Sequence, residues 1–263
     1  MMLECCLEGV ESARQARIGG AHRIELCANL AQARVTPSMG DIYGALLAVK
    51  GSDTKVHVLI RPRPGDFVYS ALEKQVMEKD VSAAVEAGAH GIAIGALLED
   101  GSIDLETTER LVRTAATAAR ATTGECSITF HRAFDCCSTD PLEALESLIR
   151  LEVDRVLTSG REPTAWEGRA VLTRLVEATK GRVVVMPGAG VIRDNVKQLL
   201  LSTGAREVHV GSACYENVPR SVPQQGATVR LGFVGAGSAA VVVTQVTARR
   251  VSEIVQLLDE DPP

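Results

Sequence analysis

The chain has 263 residues, 46% of them hydrophobic, with a formal net charge of −5, enough to bury a large core as one (β/α) barrel or two smaller domains. The negative balance argues against a nucleic-acid or anionic-membrane partner, no stretch approaches the ~18 apolar residues of a membrane span, and the acidic start MMLECCLEGVESAR lacks the basic segment and apolar core of a signal peptide. A cytoplasmic location, or a cytoplasmic and nuclear one, is expected, and seven cysteines without a CxxC pair read as reduced thiols rather than a disulfide framework or structural zinc site.

Short apolar runs then alternate with longer amphipathic ones. The first run, LECCL at 3–7, puts Leu3, Cys5 and Leu7 on one face and Glu4 and Cys6 on the other, because side chains alternate along a strand. The helical stretch EGVESARQARIGG leads to RIELC at 23–27, where Ile24 and Leu26 oppose Glu25 and Cys27. A strand at 55–61 sets Val56, Val58 and Ile60 against His57 and Arg61. The helix EKQVMEKDVSAAVEAGA precedes a strand at 91–96, and the helix DLETTERLVRTAATAAR precedes one at 127–134.

In that fifth run Ile128 and Phe130 alternate with Thr129 and His131 before Arg132 and Asp135. Arg132 has the opposite parity to His131 and reads as a structural partner of a loop acid. Asp135 either anchors the loop or caps the helix in TDPLEALESL, with capping preferred. Strands at 155–159, 182–186 and 207–211 follow, the last setting Val208 and Val210 against His209. Several helices end in Gly, as C-caps do. A Pro- and Gly-rich loop at about 214–247 separates the last strand from a final helix at 248–258, and a loop of that length is usually functional or mobile.

Eight strands alternating with helices predict a (β/α)8 TIM barrel, single domain, over residues 1–263. The rival, an open doubly wound sheet, lacks its GxGxxG after the first strand. In a barrel the apolar set packs on the helices, so Glu4, Cys6, Glu25, Cys27, His57, Arg61, His131 and His209 point inward. Such groups cost several kcal/mol unless they pair or meet ligand. One reading is a satisfied network with Glu4 or Glu25 on Arg61. The preferred one is a site at the carboxyl ends of the strands.

The stretches RIELC, TPSMGDI, IRPRPGDFVYS, ALLEDGSID, TFHRAFD, RVLTSG and RVVVMPGAG occur in the order and spacing of the CutC family, the copper homeostasis proteins, which the chain resembles over residues 3–212. The resemblance implies a TIM barrel, a homo-oligomer (dimer or tetramer) and copper binding in cytoplasm and nucleus. By motif match the Cu(I) ligands fall on Cys6 and Cys27, and soft thiolates select Cu(I). Where the family has Glu-Gly-Gly before Thr-Pro-Ser, this chain reads Gln32-Ala33-Arg34-Val35, which removes backbone freedom and adds a cation after strand two.

Beside copper binding stands an enzyme reading, of lyase, isomerase or hydrolase type, on a small anionic substrate, phosphorylated ones included. His131 would be its acid or base, Glu4 or Glu25 a partner or the ligand of a divalent cation, and Arg61 a bidentate anion holder, with Asp66 at the rim. Gly188, Gly190, Gly211 and Ser212 would cradle a phosphate on backbone N–H groups. A scaffold role is the third reading. The partner expected in the first two cases is a small molecule or metal ion.

Overall fold

The computed structural model describes residues 1–122, 124–221 and 240–259. Eight parallel strands form one sheet: β1 (Met2–Glu8), β2 (Arg23–Cys27), β3 (Lys55–Leu59), β4 (Gly91–Ile94), β5 (Ser127–Phe130), β6 (Arg155–Thr158), β7 (Val184–Pro187) and β8 (Glu207–Val210). Their order, β7-β6-β5-β4-β3-β2-β1-β8, wraps consecutive strands side by side and returns β8 to β1. β7 adjoins β8 with no ladder between them among the described residues, so the TIM barrel is nearly closed and sealed there by packing. The helices α1 (Val10–Ile18), α2 (Met39–Val49), α3 (Ala71–Glu86), α4 (Leu105–Arg120), α5 (Pro141–Arg150), α6 (Arg169–Thr179), α7 (Arg193–Thr203) and α8 (Ala248–Asp259) alternate with the strands.

Several helices begin where a side chain satisfies the first free N–H groups. Ser38 caps α2, Ser70 with Glu73 forms a capping box on α3, and Asp104 caps α4. Asp140 caps α5, so Asp135 does not. Asp135 instead anchors the preceding loop, accepting from Thr158 Oγ1 and from the backbone N–H groups of Ser159 and Arg161, and it pairs with Arg132 at 2.7 Å.

Alternation of the strand residues sorts them into two apolar populations. Leu3, Cys5, Leu7, Ile24, Leu26, Val56, Val58, Ile128 and Phe130 face outward and pack with the helices in one large core. A second, small cluster of Cys6, Cys27, Leu59 and Ala93 lies inside the barrel. Burial of the outer layer, at about 25 cal/mol per Å² of apolar surface, holds the barrel shut and leaves the interior free to carry polar groups.

Two differences from the sequence reading concern chain direction. β5 stops at Phe130, and His131 caps a short 3-10 turn over Arg132–Cys136. Within the segment expected as a loop, β9 (Tyr215–Ser221) pairs antiparallel with β10 (Ala240–Val246). Residues 222–239 of that segment lie outside the described residues.

Candidate functional site

The interior is a continuous polar column. At its floor the Arg155 guanidinium donates twice to Glu207, at 2.6 and 3.2 Å. Arg23 donates to Glu207 at 2.6 Å and also to Glu4. Glu4 in turn holds His209 Nδ1 at 2.7 Å. The His209 ring hydrogen-bonds Cys6, and its Nε2 stands 3.9 Å from Glu25. The column ends at the thiols, with Cys6 Sγ and Cys27 Sγ 3.7 Å apart and Cys27 Sγ 3.5 Å from Glu25 Oε2. All of these side chains are buried. Parallel pairing makes the column possible, because register places Glu4 beside Arg23 and His209, and Cys6 beside Glu25.

Charge follows from these contacts. Burial disfavours the Glu4 carboxylate, but Arg23 and then His209 hold it well below the usual range. Burial likewise opposes protonation of His209, yet Glu25 beside it, with hydrogen bonds to Cys6 and Glu4, raises it to about 10. Glu25 is pushed up to about 8 by burial and by the neighbouring Cys6. A hydrogen bond from the Cys27 thiol, aided by His209 and Arg34, holds Cys6 well below the ordinary thiol range, whereas burial and the Cys6 contact push Cys27 up. These contacts favour the thiolate on Cys6 over Cys27, and the thiolate is the form in which cysteine binds metal.

Above the thiols opens a cavity of about 410 Å³, its opening to solvent included, lined by Glu25, Arg34, Leu59, Arg61, Phe67, His131, Arg132, Leu157 and His209, with Ala33 at the rim. Its backbone side is cleared by small residues. A Cβ on Gly91 would meet His57 Nε2 at 2.5 Å, and one on Gly95 would meet His131 Cε1 at 2.4 Å. β4 therefore offers no bulk to the interior, and imidazoles from its two neighbours occupy the space.

His131 accepts the Ala133 backbone N–H on Nδ1 at 3.1 Å, which places its proton on Nε2. Burial and then Arg61 lower it to about 3. Both contacts favour the neutral ring with Nε2 as donor, which suits a fixed hydrogen-bond donor better than the acid or base role expected from sequence. Glu25, with its raised pKa, is the group at this site suited to proton transfer.

Arg61 does not pair with Glu4 or Glu25. Its Nη1 donates to the carbonyls of Ala33 and Arg34, and its Nη2 to that of Gly65 at 2.6 Å, so three of its five N–H groups are taken and a grip through both Nη atoms is closed, while Nε–H and one Nη2–H remain. Those carbonyls belong to residues with left-handed backbone, φ 68 at Ala33 and φ 63 at Arg34. The residues that replace the family's glycines keep a conformation glycine adopts at less cost. The turn delivers Arg34 over the thiols, where it faces Cys6, Glu25 and Cys27.

The other expected residues lie elsewhere. Asp66 is exposed and occupied by Arg63 at 3.1 Å and by the Val68 N–H. Gly211 and Ser212 line a second, larger cavity beneath the β9–β10 hairpin, which Arg34 also lines. Gly188 fills neither cavity wall; a Cβ there would strike Leu157 at 2.5 Å, and one on Gly190 would strike Thr164. The four therefore do not form one cradle. Sequence reasoning missed Arg23, Arg155 and Glu207, although the parity rule that selected Glu25 and His209 selects them too. It saw Arg34 only as a departure from a pattern, and it passed over Phe67.

Two sets of three donors have metal-ligand spacing among the described residues: Cys6, Glu25 and Cys27, and Glu4, Glu25 and His209. With metal–sulfur bonds of about 2.3 Å, sulfurs 3.7 Å apart enclose about 107°, which suits a bent arrangement with Glu25 as third donor. A near-linear one requires the sulfurs to part by about 0.9 Å.

Comparison with known proteins agrees with this frame. The model of the CutC family matches residues 1–214. The chain is 43% identical over 238 residues to a Homo sapiens protein named copper homeostasis protein cutC homolog, covering 90% of this chain and 80% of that one. It is 43% identical over 208 residues to a CutC family protein of Vibrio vulnificus, with 79% of each covered. A crystal structure from Streptococcus agalactiae, titled as a copper homeostasis protein CutC, superposes with a TM-score of 0.74 at 31% identity, over 80% of this chain and 98% of that one. A thiamine phosphate pyrophosphorylase from Pyrococcus furiosus, 16% identical with a TM-score of 0.56 over 98% of this chain and 95% of that one, shares the fold alone.

Proposed function

This chain belongs to the CutC family of copper homeostasis proteins, and from that premise we propose that it binds Cu(I) through Cys6 and Cys27, with Glu25 beside them. The observation that carries the reading is the buried thiol pair, 3.7 Å apart, in which the Cys27 hydrogen bond, then His209 and Arg34, lower Cys6 well below the ordinary thiol range. A soft, polarisable thiolate in a closed interior favours a soft monovalent cation over harder ions. Its test is competition for Cu(I) against a chromophoric chelator with the wild type, Cys6→Ser and Cys27→Ser. Each substitution weakens binding at least tenfold; equal affinity in all three removes the proposal.

A second reading is favoured by the cavity above the thiols. A neutral His131 donor, a cationic Arg61 and a Glu25 of raised pKa are the parts of a proton-transfer enzyme on a small anion, or of a hard-cation site in which Glu4, Glu25 and His209 hold a divalent ion. Glu25, not His131, is then the acid–base group.

The protein is also proposed to be a homo-oligomer, a dimer or tetramer, in the cytoplasm and nucleus, and the whole chain to be one domain. Support for the first comes from exposed Met39, Tyr43 and Leu47 on α2 next to Leu72 and Val76 on α3, apolar surface of the kind that subunits cover. Among the described residues no helix is long and apolar enough to cross a membrane.

A further inference from the structure

Three N–H groups on residues lining the mouth cavity have no partner among the described residues: Arg34 Nε, Arg61 Nε and His131 Nε2. Arg61 and His131 are more than nine-tenths buried, at 7% and 5% exposure. A buried donor left unpaired is costly in a native structure and points to a missing acceptor.

The charges at the mouth say what kind of acceptor. Arg34 faces Cys6, Glu25 and Cys27. Arg132 is paired with Asp135, and His209 with Glu4. Arg61 has carbonyl oxygens, the neighbouring Tyr69 hydroxyl and the Phe67 ring, 4.7 Å from its guanidinium carbon, but no carboxylate within ion-pair distance among the described residues. One buried cation is therefore left without a counter-charge, which suits a singly charged anion better than a phosphate dianion. The wall is also apolar in part, through Leu59, Phe67 and Leu157. Phe67 packs on both Arg61 and His131, its ring 5.1 Å from the imidazole, so both donors share one apolar neighbour.

We infer that the cavity binds a small monocarboxylate, its carboxylate taken by the free N–H groups of Arg61 and His131 and its short carbon chain by Leu59, Phe67 and Leu157. This rests on the second reading above, whose substrate class it names, and binding itself requires no reaction. Arg61 Nε and His131 Nε2 have almost no solvent exposure of their own, so side chains of the cavity wall must shift for a ligand to reach them.

The test is a titration of ¹⁵N-histidine-labelled protein with propionate and lactate, with propionamide as neutral isostere and inorganic phosphate as comparison. The His131 Nε2–H resonance shifts saturably with both carboxylates and not with propionamide, and calorimetry gives affinity about tenfold weaker in His131→Gln. Because replacing Arg61 also frees three carbonyl oxygens, Phe67→Leu serves as the second variant and weakens binding several-fold without touching that loop. Saturable carboxylate binding supports this inference whether or not the bound probe is turned over, and turnover is what the enzyme reading additionally requires. No saturable shift, an equal response to propionamide, binding of phosphate alone, or wild-type affinity in both variants overturns it, and none of these bears on the cysteine test for copper.

Discussion

Replacing His131 by Gln should flatten the acid limb of the protein's stability curve. In the folded chain burial and the Arg61 charge hold this imidazole down to about 3, against about 6.5 in an unfolded chain. As pH falls below the unfolded value, the unfolded chain takes up the proton first. The stability contributed by the neutral ring is therefore complete above about pH 6.5 and is lost as pH drops toward 3. Integrating one proton from about pH 7 to about pH 4.5 gives a loss of about 2.5 kcal/mol. Urea unfolding of wild type and His131→Gln, at fixed ionic strength across that range, reads it directly. His57, kept well below its ordinary value by burial and Arg23, is common to both proteins and cancels in the difference. The gap between the two curves should change by about 2.5 kcal/mol; parallel curves would mean that the folded protein protonates His131 as readily as the unfolded chain does, and the neutral ring accepting from the Ala133 N–H would fall.

Three other perturbations follow from the same structure. Arg23→Met leaves Glu4 with only His209 and Glu207 with only Arg155, and loss of a buried ion-pair partner costs about 3–5 kcal/mol; a fall under 1 kcal/mol in chemical denaturation would show that the column relaxes without it. Ala33→Gly relieves a left-handed alanine and should raise stability by up to about 1 kcal/mol, seen as a higher urea midpoint with unchanged slope. Asp135→Ala removes the acceptor of Thr158, Ser159 and Arg161 and should cost about 3 kcal/mol, together with faster amide exchange at Ser159 and Arg161.

Strand parity made much of the barrel legible. Leu3, Ile24, Val56 and Val208 alternate with Glu4, Glu25, His57 and His209 because one face must meet helices and the other must not, and the outer core and inner column divide along that line. What parity did not disclose is which inward groups meet. Glu4 finds Arg23, not Arg61, because neighbouring parallel strands are offset so that residue 4 sits beside residue 23. Arg61 lies beyond the end of β3, where loop carbonyls reach it first. The tautomer of His131 depends on a backbone N–H two residues away, in a turn that alternating sequence does not announce. Asp66 and the four glycine-loop residues were chosen by position after a strand, and position after a strand fixes neither direction nor depth.

β4 and the residue that follows it present only Gly91, Ala93 and Gly95 to the inside. The two imidazoles on either side are thereby berthed in a lane one strand wide, walled below by hydrogen instead of carbon. Drift at residues 91 and 95 is closed off as firmly as at any liganding side chain, although neither glycine touches cargo. Redesign of the interior would more easily start from Ala93, whose methyl group packs among Cys6, Cys27 and Leu59, so that trimming it to hydrogen would open room beside the thiols.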